Sequence, residues 1–198
     1  IGGSATYFSL TAAMYAPVYL SAVVGNDFPE DHHKLLKSRK INLDNFQIQT
    51  GRTFRWGGKY SEDLSTRETI FTKLGVFKNF NPKIANGDSF TGIVFLGNIQ
   101  PELQLSVIEQ IPNSEMIITD TMNLWIDLNP KLLWKVVESS DIFLLNDEEA
   151  EQLTGMNDLS AASDKLLSSG PECVIIKHGD RGSIVSTAIS KIHIPVYQ

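Results

Sequence analysis

Four short apolar runs, "IVFLGN" (93–98), "MIITD" (116–120), "DIFLLN" (141–146) and "CVIIKHG" (173–179), constrain this chain more than any other feature. Each has strand length and is rich in β-branched or bulky apolar residues, with no polar residue at alternate positions. Near-continuous hydrophobicity of this kind belongs to strands covered on both faces, as in a parallel sheet. The segments between the runs have helical spacing. Residues 101–111 offer Leu103, Val107, Ile108 and Ile111 to one face, with Pro101 suited to the first helical position. Residues 130–139 repeat the device, with Asn129 as cap, Pro130 in the first turn, and Leu132, Leu133, Val136 and Val137 turned inward. A helix over 147–154 is expected to stop at Gly155, and another over about 161–169 at Gly170. Strand and helix alternate, which selects an α/β architecture with right-handed crossovers.

Composition bounds the class. The 198 residues are 42% hydrophobic and 20% charged, enough for one globular domain with a substantial core. A net charge of −6 leaves no electrostatic footprint for nucleic acid, and no Lys/Arg run suits an anionic membrane surface. No apolar run reaches membrane-spanning length. Cys173 is the single cysteine, so an internal disulfide is excluded and a reducing, cytoplasmic setting is expected. The chain opens on "IGGSATYFSL" without an initiating Met and stops on the strand-like "KIHIPVYQ", as a fragment at both ends would.

Polar residues share an address. In open α/β sheets the ligand crevice lies outside the carboxyl ends of the strands, and those ends are Gly97-Asn98, Asp120, Asn146 and Lys177-His178-Gly179. Any one of them alone is adequately explained as a turn or cap residue; four on a common edge favour a site. The stretch "LLNDEEAEQLTG" (144–155) poses the same choice. Asn146 and Glu149 have the spacing of a capping box, and also the chemistry of a metal and phosphate edge.

The first ninety residues are organised differently. "VYLSAVVGND" (18–27) reads as a strand ending in a Gly-Asn-Asp turn, followed by a helix over 29–38. "FQIQT", "TFRWGGKY" and "RETIFTKL" then read as antiparallel strands broken by Gly57-Gly58 and "SEDLS". Such a small sheet serves either as a lid or as an edge for dimer pairing.

The order of "GGSATYFSLTAA", "VVGNDFPEDHHKLLKSRKINLDNF", "LLNDEEAEQLTG" and "CVIIKHGDRGSIV" resembles the ribokinase-like, PfkB-type carbohydrate and nucleoside kinases along essentially the whole chain. The resemblance implies a three-layer α/β/α fold with a mostly parallel central sheet and a small β-sheet lid from the N-terminal half. Residues 1–198 would form a single partial domain, with about 46–75 supplying the lid strands. It implies transfer of the ATP γ-phosphoryl group to a hydroxyl of a sugar, nucleoside or related small molecule, with Mg2+. Carried onto this sequence, Gly2, Gly3, Tyr7 and Asn98 would meet the substrate. Asp120, Asn146, Lys177, Gly179 and Gly182 would border the nucleotide and its phosphates, and Glu149 would hold Mg2+ through water. The chemistry suits these residue types: glycine admits a close ligand, Mg2+ takes oxygen ligands and retains waters, and phosphoryl transfer depends on positioning and charge stabilisation.

Departures qualify the match. Thr6 and Tyr7 stand where the family usually has Asn, and Lys177 and His178 where many members carry Thr and an apolar residue. The opening strand with a substrate-binding Asp would precede Ile1. The Gly-Ala-Gly-Asp segment carrying the catalytic base would follow Gln198, so this chain alone is expected not to turn over. The alternative is a non-catalytic nucleotide- or sugar-binding relative of the same fold. Arg67 and Glu68 are weighed as lid contacts against exposed strand charges, and Trp56 as a stacking residue against lid packing. Trp125 and Trp134 read as packing residues. His32-His33 reads as a surface pair, since adjacent helix residues do not share a face. A dinucleotide fingerprint at "IGGSATYFS" lacks its third glycine.

Overall fold

The computed structural model describes residues 2–60 and 67–197, and they fall into two compact units that divide between Ala85 and Asn86. The "SEDLS" segment lies outside the described residues.

In the first unit, α1 (Ser4–Ala12) starts behind Gly3, whose φ of 92° suits glycine and few other residues. β1 (Ala22–Gly25) leads into α2 (Glu30–Ser38), which carries Glu30 and Asp31 in its first turn and Lys37 in its last, as the helix dipole favours. β2 (Phe46–Gln49) runs parallel to β1, with Ala22 opposite Phe46 and Gly25 opposite Gln49. This corrects the expectation that "FQIQT" joins the antiparallel strands. The helix between β1 and β2 supplies the crossover that a parallel pair needs. Buried Leu20, Leu36 and Ile41 pack with Leu10, Val18, Leu43 and Phe46 to seal this layer. β3 (Arg55–Tyr60) and β4 (Arg67–Lys73) form an antiparallel two-stranded sheet, with a bulge between Gly57 and Gly58.

The second unit is a six-stranded sheet with helices. Its elements are β5 (Ile93–Leu96), α3 (Pro101–Gln110), β6 (Met116–Asp120), α4 (Asn123–Leu128), α5 (Pro130–Glu138), β7 (Ile142–Asn146), α6 (Asp147–Thr154), α7 (Leu159–Leu167), β8 (Cys173–Lys177), β9 (Ser183–Thr187) and β10 (Lys191–Ile194). The strand order is β10-β9-β8-β7-β6-β5. β5 to β8 are parallel, and β9 and β10 add an antiparallel edge. Such mixed sheets are common in this architecture. The core lies on the central strands: Phe143, Leu145, Val174 and Ile176 are fully buried, together with Leu133, Val136 and Val137 of α5, Ala150 of α6 and Ala162 and Leu166 of α7. Each large side chain buried in this way contributes roughly 1.5–3 kcal/mol relative to exposure.

Three helix details differ from the sequence reading, the first being that α7 begins at Leu159 behind an Asp158 cap and closes at Ser168, where about 161–169 with a stop at Gly170 was expected. On α3 it is Gln104 that is fully buried, while Leu103 and Ile108 are half-buried. The Gln104 amide donates to the carbonyls of Gly97 and Asp120, so a polar residue ties together the ends of β5 and β6. Asn129 precedes α5 but makes no side-chain cap; its amide donates to Glu102 Oε1 instead. The backbone at Asn129 (φ −140°, ψ 53°) closes α4 and opens α5 at one residue.

Candidate phosphate-handling site at the strand ends

The carboxyl ends of β6, β7 and β8 lie side by side, with Asp120 following the Thr119–Phe143 pair and Asn146 opposite Lys177. Lys177 Nζ reaches across to Asp120 Oδ1 at 3.0 Å. The two partners are unequally exposed, 49% for the Lys177 side chain and 13% for that of Asp120. The ammonium therefore faces solvent while being held from beneath by a largely buried carboxylate, a charge-assisted bond of the stronger kind.

Beside this pair, α6 opens with a complete capping box. Asn146 Oδ1 accepts from the Glu149 backbone N–H at 2.7 Å, and the Asn146 N–H donates to Glu149 Oε2, also at 2.7 Å. Glu149 is 4% exposed, so its carboxylate is oriented by the backbone. The first turn of α6 also carries Asp147 and Glu148, which complement the helix dipole. Asp147 lies 3.4 Å from His178 Nε2 and 3.9 Å from an Arg181 amino group, bracing the loop after β8 against α6. Among the described residues no three His, Cys, Asp or Glu side chains converge as a metal cage. A cation at this edge would draw most of its ligands from water and a bound phosphate, the habit of Mg2+.

The Gly179–Gly182 loop is a tight turn closed by a bond from His178 N–H to the Gly182 carbonyl at 2.7 Å. Its glycines differ in purpose. At Gly179 (φ 54°) the place of a Cβ is open space. At Gly182 (φ 88°) a Cβ would stand 2.0 Å from the Ile194 carbonyl, so packing on β10 already excludes a side chain. His178, Asp180 and Arg181 line a concavity with His193, Pro195 and Val196.

The remaining sequence candidates are placed as follows. Asn98 Oδ1 accepts from the indole N–H of buried Trp125 at 2.7 Å, which gives Asn98 a structural bond at the end of β5. In the first unit, the Cβ positions of Gly2 and Gly3 are open, and Tyr7 is 62% exposed. His32 and His33 are half-buried, meeting the Phe28 and Phe46 rings respectively, where a surface pair was expected. Trp56 folds over Gly58 and donates to Thr69 Oγ1, and Trp134 packs on the core. Glu68 is exposed on β4.

Sequence reading missed one cluster. Asp27 Oδ1 accepts from the N–H and the hydroxyl of Thr53, both at 2.7 Å, and Arg52 and Arg55 stand 3.4 and 3.1 Å from Oδ2. Bonds from the Thr53 backbone and hydroxyl lower the Asp27 pKa from 3.8 to about 2, with the arginines adding to the effect. The only sequence signal was the polar Gly-Asn-Asp stop after β1.

Residues 2–197 match the family model described as pfkB family carbohydrate kinase. The chain is 26% identical over 196 residues to the cytidine kinase of Thermococcus kodakarensis, covering 93% of this chain and 66% of that protein. Two solved structures share the fold. One is a protein from E. coli assigned as ribokinase II, in complex with ATP and Mg2+ (TM-score 0.79, 16% identity, 100% of this chain and 68% of the other). The other is the nucleoside kinase of Methanocaldococcus jannaschii, an archaeal member of the ribokinase family (TM-score 0.72, 20% identity, 97% and 62%). The 198 residues thus span about two thirds of the length of these relatives.

Proposed function

The chain belongs to the pfkB family of carbohydrate kinases, and on that premise we propose that it carries the nucleotide-handling part of an ATP-dependent kinase acting on a hydroxyl of a sugar or nucleoside. The observation that carries this reading is the conjunction at one sheet edge of the Asn146–Glu149 box with the Asp120–Lys177 pair. An open glycine at position 179 lies just beyond β8. The likeness to a cytidine kinase and a nucleoside kinase supports a nucleoside-class acceptor alongside sugars.

Lys177 offers positive charge to phosphate oxygens and Asp120 sets its position. Asn146 and Gly179 present amide and backbone groups to the same oxygens, and Gly182 fixes the loop that does so. Glu149 would be the residue that holds Mg2+, through water. Bound MgATP supplies the transferable phosphoryl group and the divalent charge that offsets it; the residues here orient it and balance charge, the main demands of this reaction. Gly2, Gly3, Tyr7 and Asn98 are assigned to the acceptor. The acceptor's proton goes to an Asp that the family resemblance places beyond Gln198. Residues 1–198 are taken as one partial domain, with a cytoplasmic setting and lid-strand dimerisation as parts of the same proposal. No helix among the described residues is long and apolar enough to cross a membrane.

The test is ATP turnover by the full-length protein across a panel of sugars and nucleosides, with Glu149→Gln alongside. Gln preserves a capping box, so folding should be retained. Activity at limiting Mg2+ should fall by roughly 10- to 100-fold, the scale on which groups orienting a metal's ligands act. An unchanged Mg2+ dependence would leave Glu149 as a cap alone.

A further inference from the structure

The Gly-Asn-Asp stop after β1 is assigned no part in the nucleotide chemistry proposed above, yet it organises the first unit. A hairpin of two strands is marginal by itself, so the β3–β4 sheet must take its orientation from its root. That root is residues 51–55 on the entering side and Gly75-Val76 on the returning side. Asp27 holds the entering side through both donors of Thr53 and through Arg52 and Arg55. The Thr53 hydroxyl also accepts from the Gly25 N–H at 3.0 Å, and Asn26 Oδ1 accepts from the Gly51 N–H at 3.2 Å. The returning side closes on the same point, because the Val76 N–H donates to the Arg52 carbonyl at 2.8 Å. Two glycines permit the crossing: a Cβ on Gly25 would lie 2.3 Å from the Gly51 carbonyl, and one on Gly75 2.0 Å from the Arg52 carbonyl.

We propose that Asp27 is a positioning residue, a latch whose carboxylate fixes the root of the β3–β4 hairpin and so sets the angle at which the hairpin is presented. The Thr53 bonds form the fixed part, since the Asp27 side chain is only 14% exposed. The arginine bonds form the adjustable part: the Arg52 and Arg55 side chains are 78% and 59% exposed, so they can exchange partners as the hairpin moves. Resting on the kinase reading, in which this hairpin is the lid over the acceptor, the latch lowers the ordering that acceptor binding must supply.

The experiment pairs two readouts on the full-length protein and its Asp27→Ala and Asp27→Asn variants. In Asp27→Ala, hydrogen exchange at the amides of residues 55–60 and 67–73 should quicken by about tenfold or more, as loss of charge-assisted bonds dictates. Exchange in β1, α2 and β5–β8 should stay as before. The acceptor KM should rise several-fold while kcat at saturating acceptor changes little. Asp27→Asn keeps one acceptor oxygen for Thr53 and loses the charge, so it should fall between. Unchanged hairpin exchange overturns the latch, and so does exchange that quickens uniformly through the first unit, which marks a general structural role. Should Asp27→Ala fail to fold, the R52A/R55A double variant must still quicken hairpin exchange alone. If the unsubstituted protein phosphorylates no acceptor, the kinase reading falls while the exchange arm still decides the latch.

Discussion

Each of the two units is stabilised internally by different physics. The second buries Phe143, Leu145, Val174 and Ile176 completely, in one cluster with residues of α5, α6 and α7, and its neighbouring parallel strands run in continuous register. The first has a small apolar cluster around Leu20, Leu36 and Ile41, and beyond it relies on carboxylate bonds and backbone crossings at glycines. Apolar burial is non-directional and tolerates little movement once packed. Polar anchoring is directional and, at exposed arginines, exchangeable. The rigid unit carries the groups assigned to phosphate, and the unit anchored by polar bonds carries the hairpin.

This contrast can be broken by substitution. Phe143→Ala empties a site of 0% exposure in the rigid unit and should cost about 3–5 kcal/mol in urea unfolding. A loss under 1 kcal/mol would deny that the core dominates there. Gly75→Ala attacks the other unit through backbone alone. A left-handed L-residue costs roughly 1–2 kcal/mol, and the overlap with the Arg52 carbonyl adds to it at φ 55°. Retained thermal stability would show that the crossing can relax. Asn146→Ala should cost about 1 kcal/mol, with Asn146→Ser near neutral, as for any helix cap; equal losses would mean that the amide does more than cap.

Acid sharpens the comparison further. The Asp27 pKa is lowered in the folded state, from 3.8 to about 2, so its contribution is complete well above pH 3.8. It begins to fade as the unfolded carboxyl protonates and is lost as pH falls through about 2. NMR shifts of the Arg55–Tyr60 amides followed from pH 5 to 2 should move with this titration, and constant shifts would contradict it. The smallest effect belongs to Lys34→Ala. Its ion pair with Asp31 is exposed at both ends, with side chains 68% and 92% accessible, so stability should change by no more than about 0.5 kcal/mol.

What could be read from sequence follows the same division. "MIITD" is β6 to the residue, and "DIFLLN" and "CVIIKHG" contain β7 and β8, because strands of a parallel sheet read as near-continuous apolar runs, even where buried and half-buried positions alternate as in β7 and β8. The helix at 147–154 is also matched to the residue, since its cap and its left-handed Gly155 are both local signals. Asn146, Asp120 and Lys177 were legible as strand ends, though the bond joining Asp120 to Lys177 was not, because it spans β7. Local signals failed where partners are distant. "FQIQT" alternates like any half-covered strand, and nothing within it says that it pairs with β1 in parallel. Gln104 breaks the apolar face of α3 because it answers two carbonyls brought in from β5 and β6. Asp27 looked like a turn residue because Thr53, 26 positions away, is what makes it an anchor.

The contact between Gly182 and the Ile194 carbonyl has a consequence for the form of the loop after β8, to which the proposed function assigns a ligand. A loop shaped by the ligand must be reshaped at each binding event, and its sequence can drift while the ligand is unchanged. Here the far end of the loop is seated on a neighbouring strand, so its form precedes any occupant. The sheet edge is in this sense a mould, and variation that alters β10 will be felt at the loop even where no loop residue has changed.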